Sequence, residues 1–206
     1  MTEGTERSTP KSRIESLSDL IFGLALSIGA LTLIGQPPSD FTGLVLAILY
    51  YAFSFLILIR VWSSYTSTMS DLHFETQRAI STNITLLFLV SIEPFLFNQL
   101  LTSKIPAEYV SILFALDLGG LFAIQAFMAS SILTDKNRPS QLLNHYRLLR
   151  NTLIIAAAIF FISTLPFFWT WSIPINKNTQ LHIRFILWIA PLILPAIRRF
   201  FEKENK

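Results

Sequence analysis

Two acidic side chains stand alone inside long apolar runs, and they are the residues best suited to chemistry in this chain. Glu93 lies in the run from 79 to 101, directly before Pro94, and Asp117 lies in the run from 109 to 133. A charge inside a membrane costs roughly 2.5 to 3.5 kcal/mol on insertion scales, so each carboxyl group needs a partner or water. The two acids indicate either a structural ion pair with a cation inside the bundle, for which Arg60 lies in the second apolar run, or the coupling groups of a proton-linked carrier.

Polar residues also gather just before the first apolar run. Arg13, Ser18 and Asp19 precede it, and no ionisable residue follows from 20 to 39. Within the run, spacings of three, four and seven place one set of residues on a single stripe of an α-helix. The set is Leu24, Ser27, Ile28 and Leu31. Branched apolar side chains on such a stripe can close a narrow pore by excluding water, although ordinary helix packing gives the same pattern.

The remaining reactive residue types do not form a catalytic arrangement. The chain has no cysteine, and its three histidines, His73, His145 and His182, are far apart in sequence. No phosphate-binding loop, nucleophile arrangement or paired catalytic carboxylates can be recognised. The sequence therefore predicts that the protein is not an enzyme and has neither a metal nor a cofactor.

The composition is that of a membrane protein. Of the 206 residues, 52% are hydrophobic and 14% are charged, against roughly 25% charged in soluble domains. The apolar residues form six long blocks, which predict an all-α integral membrane bundle of six transmembrane helices. We expect helices at about 13–35, 41–66, 79–101, 108–133, 147–173 and 180–201. They form one domain, 13–201, between a mobile tail at 1–12 and a short tail at 202–206.

Proline positions and positive charges refine this prediction. Pro166 predicts a kink in the fifth helix, and Pro191 with Pro195 predicts a bend in the sixth. Of the 16 lysines and arginines, 13 fall on one side if both termini are cytoplasmic. This bias predicts cytoplasmic termini in a multi-pass protein of the cell membrane. Because the basic residues cluster at the ends of apolar blocks, nucleic-acid binding is not expected.

The start of the first helix resembles a known family signature. Arg13-x-x-x-Leu17-Ser18-Asp19 is similar to the Arg-x-x-x-Phe-Ser-Asp motif of the transmembrane protein 175 family of potassium channels, with Leu17 where that family has Phe. The second helix, rich in aromatic residues, runs to Trp62, as in the family. The third starts near Asn83 and reaches a Pro-Phe pair at Pro94, which also matches the family's pattern.

The resemblance implies a function and a set of site residues. It implies a homotetramer in lipid around a central potassium-permeable pore, lined by the first helices, without a Thr-Val-Gly-Tyr-Gly filter. The narrow ring would be Leu24, with Ser27, Ile28 and Leu31 lining the pore on its outer side. The other motif positions would form a polar network that holds the pore helix in place. That network would comprise Arg13, Ser18, Asp19, Trp62 and Asn83.

The chain also departs from the family pattern. Where many members have a His a few residues after the Trp, this chain has Ser63, Ser64 and Tyr65, so the hydrogen bond of that imidazole must be replaced or absent. The alternative function is a proton-coupled secondary transporter that uses Glu93 and Asp117. Such transporters commonly carry internal repeats and broken helices, which are not evident in this sequence.

Overall fold

The computed structural model describes residues 10–35, 41–72, 77–102, 104–134, 138–176 and 179–204. The long helices and the small elements follow one another in the order α1 (Pro10–Gly35), α2 (Phe41–Asp71), α3 (Gln77–Thr102), α4 (Ala107–Leu133), α5 (Ser140–Ser163), α6 (Phe167–Thr170), β1 (Ser172–Asn176), β2 (Thr179–His182) and α7 (Ile183–Glu204). Five helices, α1 to α5, are long and apolar enough to cross a membrane. In α7 the corresponding apolar stretch is the shorter Ile183–Ile193, so a sixth span stays a prediction.

Successive long helices run in opposite directions, so that their ends meet at two levels. At one level the Nζ of Lys11 donates to the carbonyl of Ser70, at 2.8 Å, which joins the start of α1 to the end of α2. At the other level Arg184 of α7 donates to the carbonyls of Glu108 and Ser163, which joins the start of α4 to the end of α5. We call these levels the α1-start end and the opposite end.

The core of the bundle is built around α4. In α4, 61% of the most apolar 18-residue stretch is buried, whereas in α1 the share is 22%. Aromatic rings fill the space between α4, α5 and α7: Phe122 stacks on Phe160 with centroids 5.7 Å apart, and Phe114 lies 5.2 Å from Trp188. The low burial of α1 means that the described residues leave one side of the first helix largely exposed.

The fifth helix differs from its predicted bounds of 147–173. It begins at Ser140, directly after Pro139, because proline favours the position before or at the first turn. It ends at Ser163, and Pro166 stands in the turn before α6 instead of kinking a continuous helix. An antiparallel hairpin of β1 and β2 follows, which pairs Ile173 with Leu181. A two-stranded hairpin tolerates Pro174 because both of its strands are edges.

Other helix ends also shift. Helix α1 begins at Pro10, inside the predicted mobile tail, and α2 continues beyond 66 to Asp71. Helix α7 runs through Pro191 and Pro195 without interruption and extends to Glu204. Residues 1–9 and 205–206 of the two predicted tails lie outside the described residues.

Candidate functional site

Helix α1 has one packed face and one uncovered face. The packed face contains Ser18, Phe22 and Ala25, which are at most 2% exposed and point toward α2 and α3. The opposite stripe, which we call the uncovered face, consists of Leu17, Leu20, Leu24, Ser27, Ile28 and Leu31. Large apolar side chains on this face are exposed to between 40% and 68%. An apolar stripe of this kind needs lipid, another subunit or a pore beside it.

The four predicted pore residues all lie on the uncovered face. Leu24 is 58% exposed and Leu31 is 60% exposed. The hydroxyl of Ser27 donates to the carbonyl of Gly23 at 2.8 Å, so it is satisfied within the helix. Among the described atoms, none lies within 4 Å of a side chain built at Gly23. The stripe therefore offers branched apolar groups with small residues between them, which allows other helices to approach closely.

A buried hydrogen-bond cluster fastens the packed face of α1. The hydroxyl of Tyr65 on α2 lies 2.6 Å from Ser18 Oγ and 2.8 Å from Asn83 Oδ1 on α3. The hydroxyl of Ser18 donates onward to the carbonyl of Ile14, at 2.8 Å. We refer to Ser18, Tyr65 and Asn83 as the Tyr65 cluster. It connects three helices through side chains that are at most 3% exposed.

A second contact joins α1 to α2 closer to the surface. The indole Nε1 of Trp62 donates to Asp19 Oδ1 at 3.0 Å. Trp62 is 37% exposed, so this bond lies at the edge of the bundle and is partly open to its surroundings. Together with the Tyr65 cluster, it fixes the rotation of α1 about its axis.

The structure thus brings together four of the five residues predicted for the polar network. These are Ser18, Asp19, Trp62 and Asn83. Arg13 is exposed and makes no hydrogen bond or ion pair within the described part of the chain. Leu17 is 53% exposed and belongs to the uncovered face.

Sequence reasoning missed two residues that hold α2 in place. Tyr65 stands three residues after Trp62, and it supplies a hydrogen bond in the stretch where the family's imidazole was expected. Gln125 of α4 donates to the backbone carbonyl of Val61 at 2.6 Å and accepts from the hydroxyl of Ser64. The departure from the family's His was the available signal for Tyr65. Nothing in the sequence pairs Gln125 with α2.

The two acids of the alternative function are buried inside the subunit. Glu93 is fully buried, and its Oε1 accepts a hydrogen bond from Ser54 Oγ at 2.8 Å. Its Oε2 and both carboxyl oxygens of Asp117 have no hydrogen-bond partner among the described residues. Polar atoms buried without partners are rare, so each acid needs a proton, a cation or water.

The histidines remain separate. His145 is exposed on α5, and His182 stacks on Trp169 with ring centroids 3.8 Å apart. His73 lies outside the described residues. In the ranges that the structure covers, no three His, Cys, Asp or Glu side chains come together as metal ligands.

Comparisons with known proteins agree with this arrangement. The family model described as "Endosomal/lysosomal potassium channel TMEM175" matches residues 13–94, which include α1, α2 and the first two-thirds of α3. No curated protein matches the chain significantly. A crystal structure of a lysosomal potassium-selective channel TMEM175 homolog from Chamaesiphon Minutus superposes with a TM-score of 0.62 at 20% sequence identity. The match covers 91% of this chain and 97% of that protein.

The family model spans the region that carries the Arg13 to Asp19 motif, the Trp62 to Asp19 bond and the Tyr65 cluster. The structural likeness extends the shared fold over almost the whole chain. With its apolar helices, the protein is a multi-pass membrane protein. Residues 13–94 are thus similar in sequence to the TMEM175 family, and almost the whole chain is similar in fold to a TMEM175 homolog.

Proposed function

We propose that the chain is one subunit of a potassium-permeable channel whose pore is lined by α1. The observation that carries the proposal is the two-faced first helix. Hydrogen bonds and packing hold one face to α2 and α3, while Leu24 and Leu31 on the other face are more than half exposed in the part of the chain that the structure describes. The match of residues 13–94 to a potassium-channel family model and the likeness in fold to a potassium-selective homolog support the same function.

The proposed assembly is a homotetramer in which four copies of the uncovered face surround a central axis. Leu24 would form the narrow ring, and Ser27, Ile28 and Leu31 would line the pore on its outer side. A ring of four leucines excludes water when the helices are close and becomes wet when they separate. Permeation then depends on small movements of α1, and the Tyr65 cluster limits those movements because it ties α1 to α2 and α3.

The orientation we propose places both termini in the cytoplasm. Six of the described cations lie toward the α1-start end, namely Lys11, Arg13, Arg78, Arg138, Arg147 and Arg150. Lys104 and Arg184 lie toward the opposite end. Cytoplasmic ends of membrane proteins carry an excess of Lys and Arg, so the α1-start end is the cytoplasmic one.

A second candidate function is supported by the buried acids. Glu93 and Asp117 present three carboxyl oxygens without a hydrogen-bond partner among the described residues, as the proton-binding groups of a carrier would. In this alternative, α1 is an ordinary packing helix, and transport depends on protonation of α3 and α4. Acidic residues inside a membrane are often functional, so the carrier and the channel should be compared in one transport assay.

Potassium efflux from liposomes that contain the purified protein distinguishes the two. The channel proposal predicts a flux that favours potassium over sodium, measured with a proton ionophore present. It also predicts that Leu24→Ala alters this flux. Leu113→Ala is the matched control, because Leu113 is 55% exposed on α4, whereas α1 packs mainly against α2 and α3. The carrier proposal predicts that Glu93→Gln or Asp117→Asn abolishes transport while Leu24→Ala matters little. Correctly folded oligomers that carry no potassium flux would refute the channel proposal.

A further inference from the structure

A cleft at the α1-start end combines two arginines with an apolar floor. It lies between the end of α2, the start of α3 and the end of α4, and has a volume of about 230 Å³. Its floor is formed by Leu72, Ala79, Met128 and Ile132. Arg78 and Arg138 stand at its wall, together with Asp71. No residue of the proposed pore or of the Tyr65 cluster lines this cleft.

Arg78 is placed to receive an anion. Its guanidinium carbon lies 5.3 Å from the centre of the Phe127 ring, within the range of a cation–π contact. The side chain makes no hydrogen bond or ion pair with any residue that the structure describes. A guanidinium stacked on a ring keeps its N–H donors along its edge, where they can bind a phosphate in a bidentate manner.

Arg138 is held at the same wall by Asp71. One of its terminal nitrogens donates to the backbone carbonyl of Asp71 at 2.6 Å, and the other lies 3.7 Å from the Asp71 carboxylate. The hydroxyl of Tyr146 donates to the second carboxylate oxygen of Asp71 at 2.7 Å. Asp71 is therefore already engaged. The described wall carries the guanidinium groups of Arg78 and Arg138 and the carboxylate of Asp71, so these three side chains have a net charge of plus one.

The polar side chains around the cleft add little to its specificity. The hydroxyls of Thr82, Ser131 and Thr134 donate to carbonyls of their own helices. Arg78 is thus the described side chain of the cleft that can donate to a ligand. An occupant that suits its guanidinium must carry negative charge at one end, and the apolar floor favours hydrocarbon at the other.

We propose that this cleft binds the phosphate headgroup of an anionic phospholipid, whose acyl chain lies along the apolar floor. Charge complementarity supports this occupant, and so does position in the orientation proposed above, because basic pockets between transmembrane helices at the cytoplasmic surface bind anionic headgroups. The ring of Phe127 is 42% exposed and lines the cleft beside Arg78. The lipid would join α2, α3 and α4 at the end where α1 starts, independently of whether the protein conducts ions.

The test uses the full chain in a zwitterionic detergent. Phosphatidylglycerol, phosphatidylcholine of the same acyl chains, and soluble glycerol 3-phosphate are titrated in turn. Bound lipid is counted by native mass spectrometry, and the thermal midpoint of each variant is compared with its own lipid-free value. We expect phosphatidylglycerol alone to bind and to raise the midpoint of the wild type. Arg78→Gln should weaken this binding about ten-fold, as expected for the loss of a charge-assisted phosphate contact.

Two further variants make the result decisive. Arg147→Gln removes the same charge from an exposed residue on α5 that does not line the cleft, and it should leave phosphatidylglycerol binding unchanged. Phe127→Leu keeps the site apolar but removes the ring under Arg78, so a smaller loss is expected. Equal losses in Arg78→Gln and Arg147→Gln would mean diffuse surface attraction and overturn the site. Equal binding of phosphatidylcholine, or competition by glycerol 3-phosphate at the same concentration, would overturn the lipid assignment.

Discussion

Removal of the Tyr65 hydroxyl is expected to loosen α1 from the bundle while the packing around the ring stays intact. In Tyr65→Phe the ring can keep its contact with Phe22, whose centroid is 5.4 Å away. What is lost is the hydroxyl between Ser18 and Asn83. The substitution therefore isolates the polar part of the attachment of α1.

The size of the effect follows from the partners left behind. Interhelical hydrogen bonds in membrane proteins contribute about 0.6 kcal/mol on average and up to about 1.7 kcal/mol. Ser18 retains its bond to the carbonyl of Ile14, whereas Asn83, which is 3% exposed, loses the hydroxyl from its amide oxygen. The substitution weakens two contacts and leaves the buried amide oxygen of Asn83 without this hydroxyl. We therefore expect the free energy of unfolding to fall by about 1–2 kcal/mol.

Reversible unfolding in mixed micelles, followed by tryptophan fluorescence, measures this change. Tyr50→Phe is the control, because Tyr50 lies on the same helix, is 46% exposed and makes no hydrogen bond within the described residues. A double-mutant cycle with Ser18→Ala should give a coupling energy of at least about 0.5 kcal/mol. Equal effects of Tyr65→Phe and Tyr50→Phe, or strictly additive effects of Tyr65→Phe and Ser18→Ala, would refute the reasoning.

Three further predictions concern the rest of the bundle. Arg184→Met should lower the free energy of unfolding by about 3 kcal/mol, because the buried guanidinium donates to Ser111 Oγ and to carbonyls at the end of α5. Glu93→Gln should leave potassium efflux largely unchanged, since the acid lies inside the subunit. Gly119→Ala should lower the free energy of unfolding by about 1 kcal/mol in the same assay, because its new methyl group would meet the Phe161 ring at 2.7 Å.

Matched variants serve as controls for these predictions. Arg150→Met removes an arginine whose side chain bonds only to neighbouring Asn151 among the described residues, and it should be nearly neutral. An unchanged free energy of unfolding in Arg184→Met would show that the hydrogen bonds of Arg184 do not stabilise the fold. Loss of efflux in Glu93→Gln would favour the carrier. In Gly29→Ala the nearest described side chain is the Tyr51 ring at 3.5 Å, an ordinary van der Waals contact, so a loss of stability equal to that of Gly119→Ala would contradict the packing argument.

The membrane helices were predictable because their signals are local. Long apolar runs indicate where membrane helices lie, and the structure follows the predicted bounds closely for α3 and α4. The hairpin was not predictable in the same way. Residues 151–176 carry no charge, so they indicated one continuous helix, and the pairing of Ile173 with Leu181 depends on a strand that comes later in the chain.

The candidate site also has a part that local sequence signals predict and a part that they do not. Helical spacing alone puts Leu24, Ile28 and Leu31 on one face, and the family motif indicated the part of α1 that is held by polar contacts. The partners depend on tertiary packing, which spacing does not reveal. Tyr65 meets Ser18 across 47 residues, and Arg184 meets Ser111 across 73.

The central claim is that Leu24 faces a pore shared by several subunits. The chain has no cysteine, so Leu24→Cys introduces a single thiol whose exposure can be tested without background. Cadmium ions, which bind soft thiolate ligands, are added during potassium efflux from liposomes, with Leu113→Cys as the control. The pore assignment predicts that cadmium blocks efflux in Leu24→Cys and leaves Leu113→Cys unaffected. Unimpeded efflux through Leu24→Cys, with the thiol shown to be intact, would contradict it.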